Sequence, residues 1–218
     1  MRTSLALPLC HLPSWTRHLL GRCHRHGYGG AVTDPLDQPL TDRETLPVEL
    51  VDEHGRAVGV CQVSQAHRAP GLLHRAFSVV LFDSAGWVLL QQRAHVKTRF
   101  PARWSNTCCG HPAPGKPVAE AANVRLAEEM GLTAELIQAG VYRYRAEDPA
   151  TGRIEHEWDH VLVGLLGTET PRPNPAEVAD HRWVHPDELR AALHEDPTRY
   201  SPWLPGVLDV ATTRSAPA

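Results

Sequence analysis

Three short stretches of this chain carry side chains of the kinds that move protons or hold metal ions: "AHRAPGLLHRAF" at 66 to 77, "NTCCGHP" at 106 to 112 and "IEHEWDH" at 154 to 160. The third places Glu155 and Glu157 two residues apart, so on an extended strand both carboxylates share one face while His156 and Trp158 take the other. Cys109 and His111 have the same spacing and point together wherever their segment is extended. With His67 and His74 this makes three imidazoles and two carboxylates, a set that suits Zn, Mn, Mg or Co and leans to a transition metal through its nitrogens. Against this, the chain has fourteen histidines, so chance scatters several near acids, and spacing alone does not bring the three stretches together.

The adjacent Cys108 and Cys109 allow three readings. A disulfide between neighbours is poor geometry, and a thiol-rich zinc site needs more cysteines than lie nearby. A reactive thiol at Cys109, beside Gly110 and His111, fits better, because a nearby cation lowers a thiol's pKa from about 8.5 and makes it a usable acid or base. Cys108 suits the role of a small buried apolar residue. Arg125 and Glu129, four apart, share one helix face: they form either a Mg2+ and diphosphate contact or a surface ion pair worth about 0.3 to 0.5 kcal/mol. Arg93 and Lys97 mark a second basic spot with the same two readings.

The elements that must position these groups can be outlined from pattern. "VELVDEHGRAVGV" reads as a hairpin turning at His54-Gly55, and 74 to 93 as a second strand pair turning over Asp83 to Gly86. "GKPVAEAANVRLAEEMGL" has Val118, Ala121, Ala122, Val124 and Ala127 on a helical period, with Pro117 near its first turn and Gly131 past its end. Residues 136 to 146 and 154 to 166 read as strands around a loop at 148 to 152. A proline-rich loop at 171 to 175 leads to a strand near 182 to 184, Pro186 opens a short helix, and a last helix follows Ser201-Pro202-Trp203. Strands dominate around one long helix, so the expectation is one mixed α/β (α+β) domain over 46 to 212.

Composition sets outer bounds. A chain of 218 residues can bury a core without staples, and five cysteines, with Cys10, Cys23 and Cys61 scattered, fit a reducing compartment. A net charge of -3 with no basic stripe argues against nucleic acid, and no apolar run approaches the roughly 20 residues that span a bilayer. The expected location is cytoplasmic. "MRTSLALPLCHLPSW" is a poor signal peptide, and although residues 1 to 33 lack acids, as transit peptides do, residues 1 to 45 read as a disordered extension and linker. Residues 213 to 218 read as a flexible tail.

From about residue 48 to 204 the chain resembles the type I isopentenyl-diphosphate isomerases of the Nudix fold superfamily. The resemblance rests on "AH" at 66 to 67, "LHRAF" at 73 to 77, "RWSNTCCGHP" at 103 to 112, "YRYRA" at 142 to 146, "EHE" at 155 to 157, "RWV" at 182 to 184 and "YSPW" at 200 to 203, in the family's order. It implies a Nudix-type fold of mixed sheets flanked by helices, and interconversion of isopentenyl and dimethylallyl diphosphate through a tertiary carbocation. Cys109 and Glu157 become the acid and base, Tyr144 the phenol bonded to Glu157, and Trp183 the indole facing the cation. Of the two, Glu157 is expected to deliver the proton and Cys109 as thiolate to remove one, with the reverse chemically permitted.

The resemblance also implies His67, His74, His111, Glu155 and Glu157 as one metal site, and Glu129 with the backbone carbonyl of Cys109 at a Mg2+ that meets the diphosphate. Arg93, Lys97 and Arg125 become diphosphate contacts. The implied cofactors are Mg2+ and a second divalent ion, Mn2+, Zn2+ or another Mg2+, without flavin. The implied partner is a small allylic or homoallylic diphosphate, with no nucleic acid or membrane, on a monomer or weak homodimer. Three departures stand out. A lysine that some bacterial members place near the diphosphate falls on Val63, Gly115 lies one position too close to Glu120 for the Nudix hydrolase signature, and the signature's Arg-Glu pair reads Val124-Arg125. The last two weigh against a hydrolase of nucleoside diphosphate derivatives. A non-catalytic diphosphate binder would need the acid/base pair broken, yet both groups are present.

Overall fold

The computed structural model describes residues 43–213; the expected extension at 1–42 and the tail at 214–218 lie outside the described residues. Arg43–Thr45, placed in the linker on composition, form a 3-10 turn that enters the first strand. That strand, β1 (Pro47–Val51), pairs antiparallel with β2 (Ala57–Gln62) around the expected turn, where Gly55 takes a left-handed φ of 75° under the Trp158 ring. A one-turn helix, α1 (Val63–Ala66), then carries the chain to His67.

The sheet is built on β3 (His74–Phe82), which has apolar side chains on both faces and is buried along nearly its whole length. It runs parallel to β8 (Ile154–Leu165) over nine residue pairs, from His74 opposite Glu157 to Phe82 opposite Leu165. The sequence pattern reads 74 to 93 as one hairpin; in the structure β3 and β4 (Val88–Arg93) share only the Phe82–Val88 pair and then diverge. The reason is competition for edges. β4 pairs instead with β9 (Val178–Val184) and with the short β5 (Trp104–Ser105), while β3 takes β8 on one side and β6 (Cys108–Gly110) on the other. β7 (Ile137–Glu147) completes the nine-stranded mixed sheet, antiparallel to β8.

Helices cover both faces. α2 (Val118–Met130) starts from Pro117 and stops where Gly131 turns left-handed at φ 63°, returning its N–H to Leu126 and Ala127. Its Leu126 and Met130 pack on Phe77, Val79, Leu81, Leu89 and Leu162. The alternate residues, Val80, Phe82, Val88, Leu90, Val161 and Val163, face α4 (Leu204–Thr212) through Val207 and Leu208, with α3 (Pro186–Glu195) beside it. Each such side chain contributes about 1.5 to 3 kcal/mol on burial. The same alternation parts the two cysteines: on β6, fully buried Cys108 packs with the α2 layer and Cys109 with the α4 layer.

Gly206 lets α4 lie directly on β7, since a Cβ there would stand 2.1 Å from the Tyr142 ring. Gly206→Ala should therefore lift α4 and lower the urea midpoint by an amount equivalent to about 1 to 3 kcal/mol, the usual scale for overpacking.

Candidate active site

The edge of the sheet where β3, β6, β7 and β8 meet opens into a cavity of about 410 Å³. Cys109, His111, Arg93, Lys97, Arg125 and Glu129 line it, with Tyr144, Glu155, Glu157 and Trp203. At one side the ligand atoms of His67, His74, His111, Glu155 and Glu157 all lie within 4.8 Å of one another, four of the five residues being buried.

The hydrogen bonds at this cluster divide each ligand between scaffold and centre. His67 Nδ1 meets the Val63 carbonyl and His74 Nδ1 the Leu72 carbonyl, each at 2.8 Å, so each ring is anchored outward through Nδ1 and turns its Nε2 inward. Glu155 turns Oε2 to His67 at 2.8 Å and Oε1 to the Arg99 guanidinium at 3.0 Å. Glu157 turns Oε1 to His111 at 3.0 Å and accepts at Oε2 from the Tyr144 hydroxyl at 2.6 Å. His74 and His111 place their Nε2 atoms 3.2 Å apart. Three inward Nε2 atoms and two carboxylates converging at such separations form a donor set of the kind that a divalent cation takes. The residues therefore fit a divalent metal ion, by donor type and by the outward bonds that hold the donors.

Electrostatics separate the carboxyl groups of β8. Burial opposes charge on Glu157, but hydrogen bonds from His111 and His74 hold it well below the usual carboxylate range. Burial with the neighbouring Glu157 charge pushes Asp159 well above its usual value, so three acids on one strand face do not all ionise. Asp159 accepts from Ser78 Oγ at 2.7 Å, and Ser78 Oγ lies 3.6 Å from Cys109 Sγ. Burial, with Asp159 next, raises the Cys109 thiol to about 12, so the chain by itself keeps Cys109 protonated. Burial lowers His111 to about 4.

The opposite side of the cavity is cationic. Arg125 and Glu129 are buried, at 6% and 2% exposure, which replaces the surface-pair reading of α2 by a partnered internal one. Glu129 accepts from Gln91 at 2.8 Å, from Lys97 at 3.3 Å and from Arg125. Glu177, which pattern gave no reason to single out, accepts from Lys97 and lies 3.2 Å from Arg125. Arg43 reaches Glu128 and stands 3.7 Å from Glu177, adding a cation to this side. Arg93 bonds the Phe100 and Arg99 carbonyls and lies 5.5 Å from the Trp203 ring centre.

One expected residue is out of place. Trp183 does not line the cavity; paired with Leu89 on β9, it packs on the α2 layer, because strand alternation turns it from the α4 side. The indole in the cavity is Trp203, buried beside Tyr144 at 5.8 Å between ring centres and Phe100 at 5.5 Å. Its signal was the "YSPW" stretch, the last tryptophan among the quoted motifs. Arg99 and Arg43 carried no such signal: each is one basic residue in a polar loop until the fold closes over the cavity.

A family model described as the NUDIX domain matches residues 72–205. The isopentenyl-diphosphate Delta-isomerase of Nocardia farcinica is 68% identical over 166 residues, 76% of this chain and 94% of that protein. Those so named from Streptomyces coelicolor and Halorhodospira halophila are 47% and 44% identical, over 77% and 72% of this chain and 84% and 89% of theirs. Among solved structures, a Deinococcus radiodurans protein superposes with TM-score 0.63 at 18% identity, covering 77% of this chain and 99% of that one.

Glu129 gives a check on the charge balance. Burial alone would raise its pKa, yet Arg125 and Lys97 hold it at about 2 against 4.5 for the free group. A depressed carboxylate stabilises the fold above its unfolded pKa and loses that contribution as pH falls through the folded one. The stability gap between the parent and Glu129→Gln should therefore be full above pH 4.5 and close between 4.5 and 2, read from melting temperatures across that range.

Proposed function

The chain belongs to the isopentenyl-diphosphate Delta-isomerases of the NUDIX family, and from that premise we propose that its cavity interconverts isopentenyl and dimethylallyl diphosphate by adding a proton at one carbon and removing another two carbons away. The observation that carries this reading is the division of one cavity into a cationic side and a side holding a thiol, a carboxylate and an indole. A diphosphate suits the first, through Arg93, Lys97 and Arg125, with Arg43 as a further cation, and a five-carbon alkene suits the second.

Arg43 and Arg99 also line the region around Val63, where a lysine contact is missing. Glu129 and the Cys109 backbone carbonyl would hold Mg2+ against the diphosphate, and the three histidines with Glu155 and Glu157 a second divalent ion, Zn2+ or Mn2+ by the weight of nitrogen donors. When bound, these ions supply charge to orient the diphosphate and to keep Glu157 fixed.

At rest the chain offers one donor and one acceptor: Cys109 keeps its proton and Glu157 has lost its own. This order has Cys109 give and Glu157 take, the opposite of the order expected above. Both serve, since the reaction is reversible and the groups exchange roles with direction. Tyr144, bonded to Glu157 and pushed well above its usual pKa by burial and that charge, stays a phenol that can follow the carboxylate proton. The cation formed on the way is tertiary, and the Trp203 face, with no lone pair to trap it, stabilises it by about 2 kcal/mol once desolvated.

Purified protein with Mg2+ and isopentenyl diphosphate in D2O should yield dimethylallyl diphosphate carrying deuterium; inorganic phosphate with no isomer overturns the reading. Cys109→Ala and Glu157→Gln should each lower kcat by at least about 10²-fold, the lower range for a lost acid or base, while Cys108→Ala stays within a few-fold. Trp203→Phe should cost far more turnover than Trp183→Phe, and the reverse order in a steady-state comparison would return the indole role to Trp183.

A further inference from the structure

We infer that Asn106 is a positioning residue whose one carboxamide oxygen sets the Cys109 thiol and the Trp203 indole relative to each other. Asn106 is fully buried between β5 and β6, outside the cavity lining. Its Nδ2 donates to the Val79 carbonyl at 3.1 Å and the Cys108 carbonyl at 2.9 Å, so both amide hydrogens are used. That fixes which end is which, because the flipped amide would set its oxygen against two carbonyl oxygens.

Oδ1 then faces three donors: Trp203 Nε1–H at 3.1 Å, Ser105 Oγ–H at 3.1 Å and Cys109 S–H at 3.2 Å. An amide oxygen has two lone pairs, so the three compete, and a change in one bond alters the others. Cys109 comes from β6 and Trp203 from the turn into α4, 94 positions later. No hydrogen bond joins the thiol to the indole directly, and the shared oxygen is the polar link between them.

The consequence is geometric. Turning the indole over would leave a buried N–H without a partner, so the bond to Asn106 holds one ring face toward the cavity. The same oxygen holds the thiol from below. In a reaction that forms a cation against the indole and moves a proton at the sulfur, the two must be correct together, and misplacement by 1 Å can cost about 10²-fold. This inference rests on the isomerase reading for its kinetic arm only.

The spectroscopic arm needs no turnover. The infrared S–H stretch of Cys109, isolated as the difference between the parent and Cys109→Ala, should move to higher frequency in Asn106→Ala as the acceptor is lost. In Trp203→Phe, which keeps Asn106 and removes only a competing donor, the band should move to lower frequency as the hydrogen bond from the thiol to Asn106 Oδ1 strengthens. The kinetic arm should show kcat in Asn106→Ala lower by about 10²-fold with KM within about 3-fold, and the double variant with Trp203→Phe losing clearly less than the product of the two single losses. If Asn106→Ala fails to fold, the Trp203→Phe shift decides. An unmoved S–H band in Trp203→Phe overturns the inference, as does a double variant whose losses multiply. Variants that show the band shifts while the parent protein forms no isomer overturn the isomerase reading instead.

Discussion

The parallel pairing of β3 with β8 is the constraint on which the site depends. Paired residues on neighbouring parallel strands stand about 4.8 Å apart with side chains on one face, so the register that sets His74 opposite Glu157 brings an imidazole and a carboxylate of distant segments into contact. Two steps along, the same register carries Asp159 inward, and four steps along it opposes Ser78 to Val161 while β6 sets Cys109 opposite Ser78. A slip of β8 by one residue would turn Glu155, Glu157 and Asp159 towards the α2 side and bring His156, Trp158 and His160 to the cavity instead. The register is held by the core itself: Val80, Phe82, Val161 and Val163 continue the same two faces beneath α4, so packing and chemistry demand the same alignment.

That alignment concentrates like charges. Glu155, Glu157 and Asp159 lie on one strand face and all are buried. Asp159 meets the conflict by remaining protonated, Glu155 by the His67 ring and the Arg99 guanidinium, and Glu157 by two histidines and a phenol. On the other side Lys97, Arg125 and Arg43 crowd together and are held apart by Glu128, Glu129 and Glu177. Neither group of charges is a good way to stabilise a fold, since buried ion pairs rarely better a well-packed apolar core. Their arrangement makes sense as a site that receives charge from outside, metal cations on one side and a diphosphate on the other.

Sequence spacing showed the parts of the site that depend on local geometry. Two-residue spacing on an extended segment put Glu155 with Glu157, and the reading of Cys108 as a packing residue is matched by the strand alternation that parts it from Cys109. The long helix was legible because Pro117 and Gly131 bracket a clear period. What spacing could not give was partnership across the sheet. The β3–β4 hairpin looked natural from its turn, yet parallel and edge partners outcompeted it, and no local signal reports such competition. The indole went to Trp183 for a related reason. Both tryptophans sit in motifs of the resembled family, and only the pairing of Trp183 with Leu89 shows that its face belongs to the α2 layer. Glu177, Arg99, Arg43 and Asn106 were invisible because each acts through a residue more than twenty positions away or through a turn the pattern left as linker.

The site also has to restrain its own nucleophiles. A tertiary cation is trapped by any oxygen or sulfur lone pair that can reach it, so the groups that move protons must be near and yet unable to swing onto carbon. In this chain each such group is held at a second point. Glu157 has one oxygen on the histidines and the other on Tyr144; Glu155 is divided between His67 and Arg99; the Cys109 sulfur is held between Ser78 and Asn106. The Trp203 ring meets the cavity with a π face rather than a free lone pair, and its N–H is itself tied to Asn106. The two-point restraint that gives the metal ligands their direction thus also protects the intermediate, because a carboxylate with both oxygens engaged can accept a proton along its bond but cannot rotate to form an ester.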